Sequence, residues 1–187
     1  MSMDVEKTFE ESGAVLRGHF LLTSGRHSPV YWEKFRVLQS PRHTVELCRL
    51  VAERFRNDGV QVVAGPTLGG VILAFEVARQ LQVRSAYAEK DDSGRTFRRG
   101  LSIKPGERVL IVDDVLTTGT SVKDVIQAVQ RSGGHIVGIG VLVDRSEETV
   151  DLGLPLFSCL RSPAVSYPPD NCPLCQQGLP LTRPGGL

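Results

Sequence analysis

The scarcities of this sequence are its most informative bulk property. Cysteine occurs four times in 187 residues, and a domain of that length buries a core large enough to fold without disulfides. Cys48 and Cys159 stand among apolar neighbours as buried free thiols do, and reduced thiols suit the cytosol. There is no stretch of about 18 apolar residues, which excludes a membrane-spanning helix. The start, Met1 to Lys7, lacks the basic segment and apolar run of a secretory signal, so a cytoplasmic protein is expected. Charge of one sign is lacking too: 22 Lys and Arg against 21 Asp and Glu leave a net +1. That provides no global field to hold nucleic acid or an anionic membrane. An anionic ligand must then be held by local charge, and should be small. Repeats and low-complexity tracts are absent. What remains, 41% hydrophobic and 23% charged residues, is the composition of one ordinary globular domain spanning residues 1–187.

What is present is a pattern. Val60 to Ala64, Arg108 to Val112 and His135 to Val143 are short β-branched runs of the kind that form buried strands. They alternate with amphipathic stretches at Val71 to Leu81 and Val122 to Arg131. Such alternation defines an α/β domain with a central parallel sheet flanked by helices. Val122, Val125, Ile126 and Val129 share one face of the last stretch, which Gly133-Gly134 ends as a helix cap would. Before the sheet, Cys48, Val51, Ala52 and Phe55 keep helical spacing between a start at Pro41-Arg42 and an end at Asn57-Asp58-Gly59. The charged stretch Lys90 to Gly100, with Ser93-Gly94 inside it, reads as an exposed mobile loop or a hairpin. From about Ser162 to Leu187 prolines and glycines accumulate, giving a tail that packs loosely on the domain or lies free.

The chemistry concentrates between Val109 and Ser121. An apolar strand runs into Asp113 and Asp114, then Val115 and Leu116. The hydroxyl-rich turn Thr117, Thr118, Gly119, Thr120, Ser121 then opens the next helix. Backbone N–H groups at such a helix start would cradle a phosphate, the hydroxyls adding donors and Gly119 letting the backbone come close. The two acids would accept hydrogen bonds from vicinal ribose hydroxyls, directly or through a divalent ion. An Asp-Asp pair alone more often caps a helix; the whole string argues for a sugar phosphate. No Gly-Lys-Ser or Gly-Lys-Thr follows, and the spaced glycines of a dinucleotide fingerprint are missing, which disfavours nucleoside triphosphates and NAD. A second turn, Gly65 to Gly70, joins another strand to another helix. Its Thr67, Gly69 and Gly70 would offer donors to the pyrophosphate end of the same ligand.

The Val109 to Ser121 string resembles the loop with which type I phosphoribosyltransferases bind phosphoribosyl pyrophosphate. The segment Gly18 to Trp32, with Thr23-Ser24-Gly25-Arg26 and Ser28-Pro29-Val30-Tyr31-Trp32, is similar to the one that covers the pyrimidine in orotate phosphoribosyltransferases. The resemblance runs from about Gly18 to Arg145. It implies the type I phosphoribosyltransferase fold, with a small hood over the base site made from about residues 1–40. It also implies transfer of a phosphoribosyl group to orotate, with magnesium as a cofactor held mainly by substrate. Tyr31, Trp32, Thr23 and Thr117 would then lie at the orotate ring, where aromatic faces pack flat heterocycles. Arg145 would fork onto the orotate carboxylate, two parallel hydrogen bonds that uracil or a purine does not offer. A buried aromatic pair and a surface arginine are the ordinary readings of those residues.

By the same resemblance Lys90 reaches the pyrophosphate, Lys90, Asp113 and Asp114 are the catalytic candidates, and the loop at 90–100 enters the neighbouring site of a homodimer. Arg95, Arg98 and Arg99 are candidates to act with Lys90. The chain departs from many relatives in carrying Thr23 and Gly69 where they carry lysine, so hydroxyl and backbone donors must serve there. A phosphoribosyl-fold regulator that binds nucleic acid would need a basic face, and none is evident; a transferase for another base is the nearer alternative. Cys172-Pro173-Leu174-Cys175 has the spacing of half a zinc site. With no second pair or suitably spaced histidine in the sequence, ordinary tail cysteines are expected and zinc is the minority reading.

Overall fold

The computed structural model describes residues 4–92 and 94–184; Ser93 of the charged loop, Met1 to Met3 of the start and the last residues of the tail lie outside the described residues. The chain opens with a short helix, α1 (Val5–Glu11), capped by the Asp4 carboxylate on the Lys7 N–H at 3.1 Å. Strands β1 (Val15–Leu21) and β2 (His27–Trp32) then pair as an antiparallel ribbon, and the single turn α2 (Phe35–Leu38) leads to α3 (Pro41–Phe55). Pro41 occupies the first turn of α3, where its missing N–H has no helical partner to lose.

The remaining strands make one sheet. They are β3 (Val62–Pro66), β4 (Arg84–Asp91), β5 (Gly94–Phe97), β6 (Arg108–Leu116), β7 (His135–Asp144) and β8 (Leu156–Arg161), in the order β5-β4-β3-β6-β7-β8. Every neighbouring pair is parallel except β4 with β5. The sheet is therefore mixed, a parallel core with one antiparallel edge. Two-residue alternation sorts its side chains. Val63, Leu110, Val112 and Leu142 face α3 and α4 (Gly69–Leu81); Val62, Ala64, Val109, Ile111, Ile139 and Val141 face α5 (Thr120–Arg131). Burial on both faces explains why these strands are continuous apolar runs.

Three sequence expectations are refined. The strand holding the acids runs through them to Leu116, because β7 pairs with it all the way, Val115 with Val143 and Leu116 with Asp144. The charged stretch takes the hairpin form: β5 folds back on β4, and Arg95 is buried at its centre rather than exposed. The tail packs on the hood. Tyr167 and His27 exchange backbone hydrogen bonds at 2.8 and 2.9 Å, the Leu21 N–H donates to Thr182 O at 2.9 Å, and the Thr182 N–H donates to His19 O at 2.8 Å. Between these tethers lie a 3-10 turn at Pro169–Asn171 and the short helix α6 (Pro173–Gln176).

Candidate active site

At the carboxyl ends of β3 and β6, two strand-to-helix turns lie side by side, the place where ligands gather in parallel sheets. The turn after β6 forms a concavity lined by Asp113, Val115, Leu116, Thr117, Thr118, Gly119, Thr120, Ser121 and Val122. Thr117, Thr118 and Thr120 are exposed, and the Thr118 and Thr120 hydroxyls hydrogen-bond each other at 3.0 Å, which leaves one of the two protons for an oxyanion. Gly119 sits at φ +78°, and a Cβ there would meet Val150 at 3.0 Å, so the turn into α5 demands glycine for conformation and for space.

Asp113 and Asp114 are both nearly excluded from solvent, at 6% and 3% exposure. Burial, and then the charge of Asp114, push the Asp113 carboxyl up to about 7. Asp113 Oδ1 accepts the Asp114 N–H at 2.9 Å, and Asp114 Oδ1 accepts the Val115 N–H at 2.7 Å. Across the site Lys34 Nζ stands 3.0 Å from each Asp114 carboxylate oxygen. This cation comes from the link between hood and α3, and sequence reasoning missed it. Its signal was its position two residues past Trp32, on the same side of the chain were β2 to continue.

Gly69 explains itself at the same spot. A Cβ on it would lie 1.7 Å from Asp114 Oδ2. The turn between β3 and α4 thus presses against the second acid, and the Asp114 charge is met by Lys34 instead of by a lysine on that turn. Thr67 of this turn is tied to the hairpin: Arg95 donates to Ala88 O at 3.0 Å and to Thr67 Oγ1 at 3.2 Å. Gly70 is buried in α4 against Pro66 and Gly65. Arg95 is therefore a fixed cation beneath the turn, while Arg98 pairs with Asp91 at 2.8 Å and Arg99 with Glu89 at 2.6 Å. Lys90 is exposed on the hairpin, in register with Arg95 and with no ion pair among the described residues.

Arg145 follows β7, and its N–H donates to Leu116 O at 2.8 Å, which sets it beside the phosphate turn. It is only 9% exposed, and burial pulls its guanidinium down to about 10. Among the described residues it has no acid partner. Its neighbour Asp144 is taken by Arg161 at 2.6 Å and by Ser146. The guanidinium instead lies 5.2 Å from the centre of the Trp32 ring, whose other contact is the edge of Phe9 at 5.1 Å. Trp32 and Arg145 are thus brought together. Tyr31 turns to the opposite side of β2 and packs on Phe20 at 5.9 Å, as alternation in a strand requires. Thr23 lies exposed at the tip of the β1–β2 hairpin.

A hydroxyl-rich turn and two buried acids stand at the carboxyl ends of the strands, and beside that turn Trp32 of the hood lies against the buried Arg145 that follows β7, an arrangement suited to a phosphorylated sugar. The model of the phosphoribosyl transferase domain matches residues 36–160. The orotate phosphoribosyltransferase of Pelotomaculum thermopropionicum is 52% identical over 97% of this chain and 96% of its own length. That of Caldanaerobacter subterraneus subsp. tengcongensis is 45% identical over 98% of each. The crystal structure of orotate phosphoribosyltransferase from Aeropyrum pernix, 31% identical, superposes with a TM-score of 0.73 over 84% of this chain and 93% of that one. The chain belongs to the orotate phosphoribosyltransferase family.

Proposed function

We propose that the chain transfers the phosphoribosyl group of phosphoribosyl pyrophosphate to orotate, giving orotidine 5'-monophosphate and pyrophosphate in pyrimidine biosynthesis. The observation that carries the choice of base is Arg145. A buried guanidinium with no acid partner among the described residues, against an aromatic face and beside the phosphate turn, suits a flat ring bearing a carboxylate. The orotate ring nitrogen attacks the anomeric carbon, forming the C–N bond as the C–O bond to pyrophosphate breaks and its electron pair leaves with pyrophosphate. The ring nitrogen's proton passes to solvent. The turn from Thr117 to Ser121 holds the 5'-phosphate, and Asp113 and Asp114 hold the ribose hydroxyls. Thr67, Gly69 and Gly70 line the pyrophosphate end. Positioning and charge neutralisation supply the rate, without a covalent enzyme intermediate.

Magnesium suits this site as a companion of the donor. The buried acid pair, one carboxyl of which is pushed up to about 7, is the donor set that a divalent cation would meet. When bound with the donor it would neutralise charge on the departing pyrophosphate. Lys90 approaches the same group from the hairpin, which closes over the site and shuts out water.

The active form is a homodimer. Leu68, Ile72 and Phe75 are 73%, 41% and 65% exposed and, at spacings of four and three residues, share one face at the start of α4. Such an apolar patch next to the pyrophosphate turn fits a second copy of the chain, whose hairpin would bring its Lys90 into this site. Cytoplasmic work suits Cys48 and Cys159, free thiols packed among apolar side chains.

The test is the fall in orotate absorbance on adding phosphoribosyl pyrophosphate, with and without magnesium, with uracil and adenine run alongside. Turnover of orotate that requires both donor and metal is expected. Turnover of another base with none of orotate would overturn the assignment.

A further inference from the structure

The tail and hood meet in a cluster that the transfer reaction does not use. His19 lies on β1, His27 on β2, and Cys172 and Cys175 flank the start of α6; one ligand atom from each lies within 4.8 Å of all the others. His19 Nε2 lies 3.0 Å from His27 Nδ1, Cys172 Sγ 3.6 Å from His19 Nε2, and Cys175 Sγ 3.7 Å from His19 Nε2 and 3.3 Å from His27 Nδ1. A tetrahedron built on ordinary Zn–N and Zn–S bond lengths has N–N edges of about 3.3 Å, N–S edges of about 3.6 Å and S–S edges of about 3.8 Å. The N–N edge and the three N–S edges above fall within a few tenths of an ångström of these, and the remaining two edges are no longer than 4.8 Å. Two imidazoles and two sulfurs at such distances, three of the four residues being buried, form a ready ligand shell.

Two further features support a metal. His19 Nδ1 lies 2.8 Å from Leu179 O, so it carries the proton and donates there, leaving the Nε2 lone pair aimed at the cluster. Orienting a ligating imidazole through a carbonyl on its far nitrogen is the usual outer support of a zinc histidine. The chain is also tethered to the ribbon on both sides of the Cys-x-x-Cys turn, at Tyr167 and Thr182. The sequence suggested only half a site because the histidines are eight residues apart on two strands, a spacing that becomes a pair only when the ribbon folds.

We propose that His19, His27, Cys172 and Cys175 bind one structural Zn2+ through Nε2, Nδ1 and two thiolates, clamping the tail to the hood. Four protein ligands close the shell, leaving no position for substrate or water, which makes the role structural. On binding, the two thiol protons are released to solvent.

The full chain, made without an affinity tag that binds metal, is analysed for zinc by mass spectrometry. It is then stripped with chelator and titrated with Zn2+ or Co2+. About one zinc per chain is expected, with intense visible bands from tetrahedral thiolate-bound Co2+ in the cobalt form. Stripping should lower Tm by on the order of 10 °C, reversed by Zn2+. Cys175→Ser, at an exposed position, and His27→Asn should each lose the metal and the cobalt bands while circular dichroism shows the sheet retained. Wild-type protein with little zinc and no uptake after Zn2+ loading would overturn the proposal, as would zinc content unchanged in a Cys172→Ser/Cys175→Ser variant.

Discussion

Asp113 is a carboxyl held up to about 7 in the fold, against 3.8 for the free group, by burial first and by Asp114 second. Between those values the folded state binds more protons than the unfolded one, so this group's contribution to stability falls as pH rises through that window. Asp113→Asn has no charge to bury. Its melting temperature relative to wild type should therefore climb from about pH 5 to about pH 8, by an amount worth up to a few kcal/mol, while turnover falls. Thermal denaturation across that range checks it, and a pH-independent difference would refute the burial of charge. Arg145 is the other residue on which the proposed chemistry rests. Removing a desolvated fork from a bound carboxylate costs about 2–5 kcal/mol, so Arg145→Ala should raise the KM for orotate by at least about thirty-fold. The KM for the donor should move far less in the same assay. Equal weakening of both would remove Arg145 from the base site.

Among the elements, the turn between β3 and α4 is the tightest fit. A methyl at Gly69 would lie 1.7 Å from Asp114 Oδ2, so Asp114 would have to leave its place opposite Lys34. Forced overpacking of this kind typically costs about 1–3 kcal/mol. Gly69→Ala should therefore lower stability by that amount and weaken donor binding more than orotate binding, as measured by denaturant titration and by separate KM values. An unchanged donor KM would mean that the Lys34–Asp114 pair is not part of the donor site. The hairpin of β4 and β5 is a second such element. Arg95 pins it to Thr67 and Ala88, whereas Lys90 is left exposed on it. The closure proposed for this hairpin would thus start from a base already fastened to the turn between β3 and α4.

For the molecule as a whole, the exposed apolar face of Leu68, Ile72 and Phe75 is the surface that the proposed dimer would bury. Phe75→Glu should convert a dimer into a monomer in sedimentation velocity, because burying a new carboxylate in an apolar interface is strongly disfavoured. A variant that stays dimeric would move the interface elsewhere. Mixing Lys90→Ala with Asp113→Asn chains, each inactive alone, should restore turnover if the hairpin serves the neighbouring site, since a mixed dimer carries one intact site. No recovery after verified subunit exchange would confine Lys90 to its own chain.

The amino-acid order alone determined the alternation of strands and helices, the start of α3 at Pro41, and the hydroxyl-rich turn from Thr117 into α5, because each follows from residues close in sequence. Local periodicity reports which way neighbouring side chains point, and nothing about which distant segments meet. Tertiary packing decided that Lys34 faces Asp114 across 80 residues, that Trp32 and not Tyr31 meets Arg145, and that Arg95 is buried in a hairpin instead of free in a loop. It also brought His19 to Cys172 across 153 residues. In each case a hydrogen bond, ion pair or ring contact joins elements whose relative placement comes from burying the two faces of one sheet, and from folding a ribbon and a tail together at its edge.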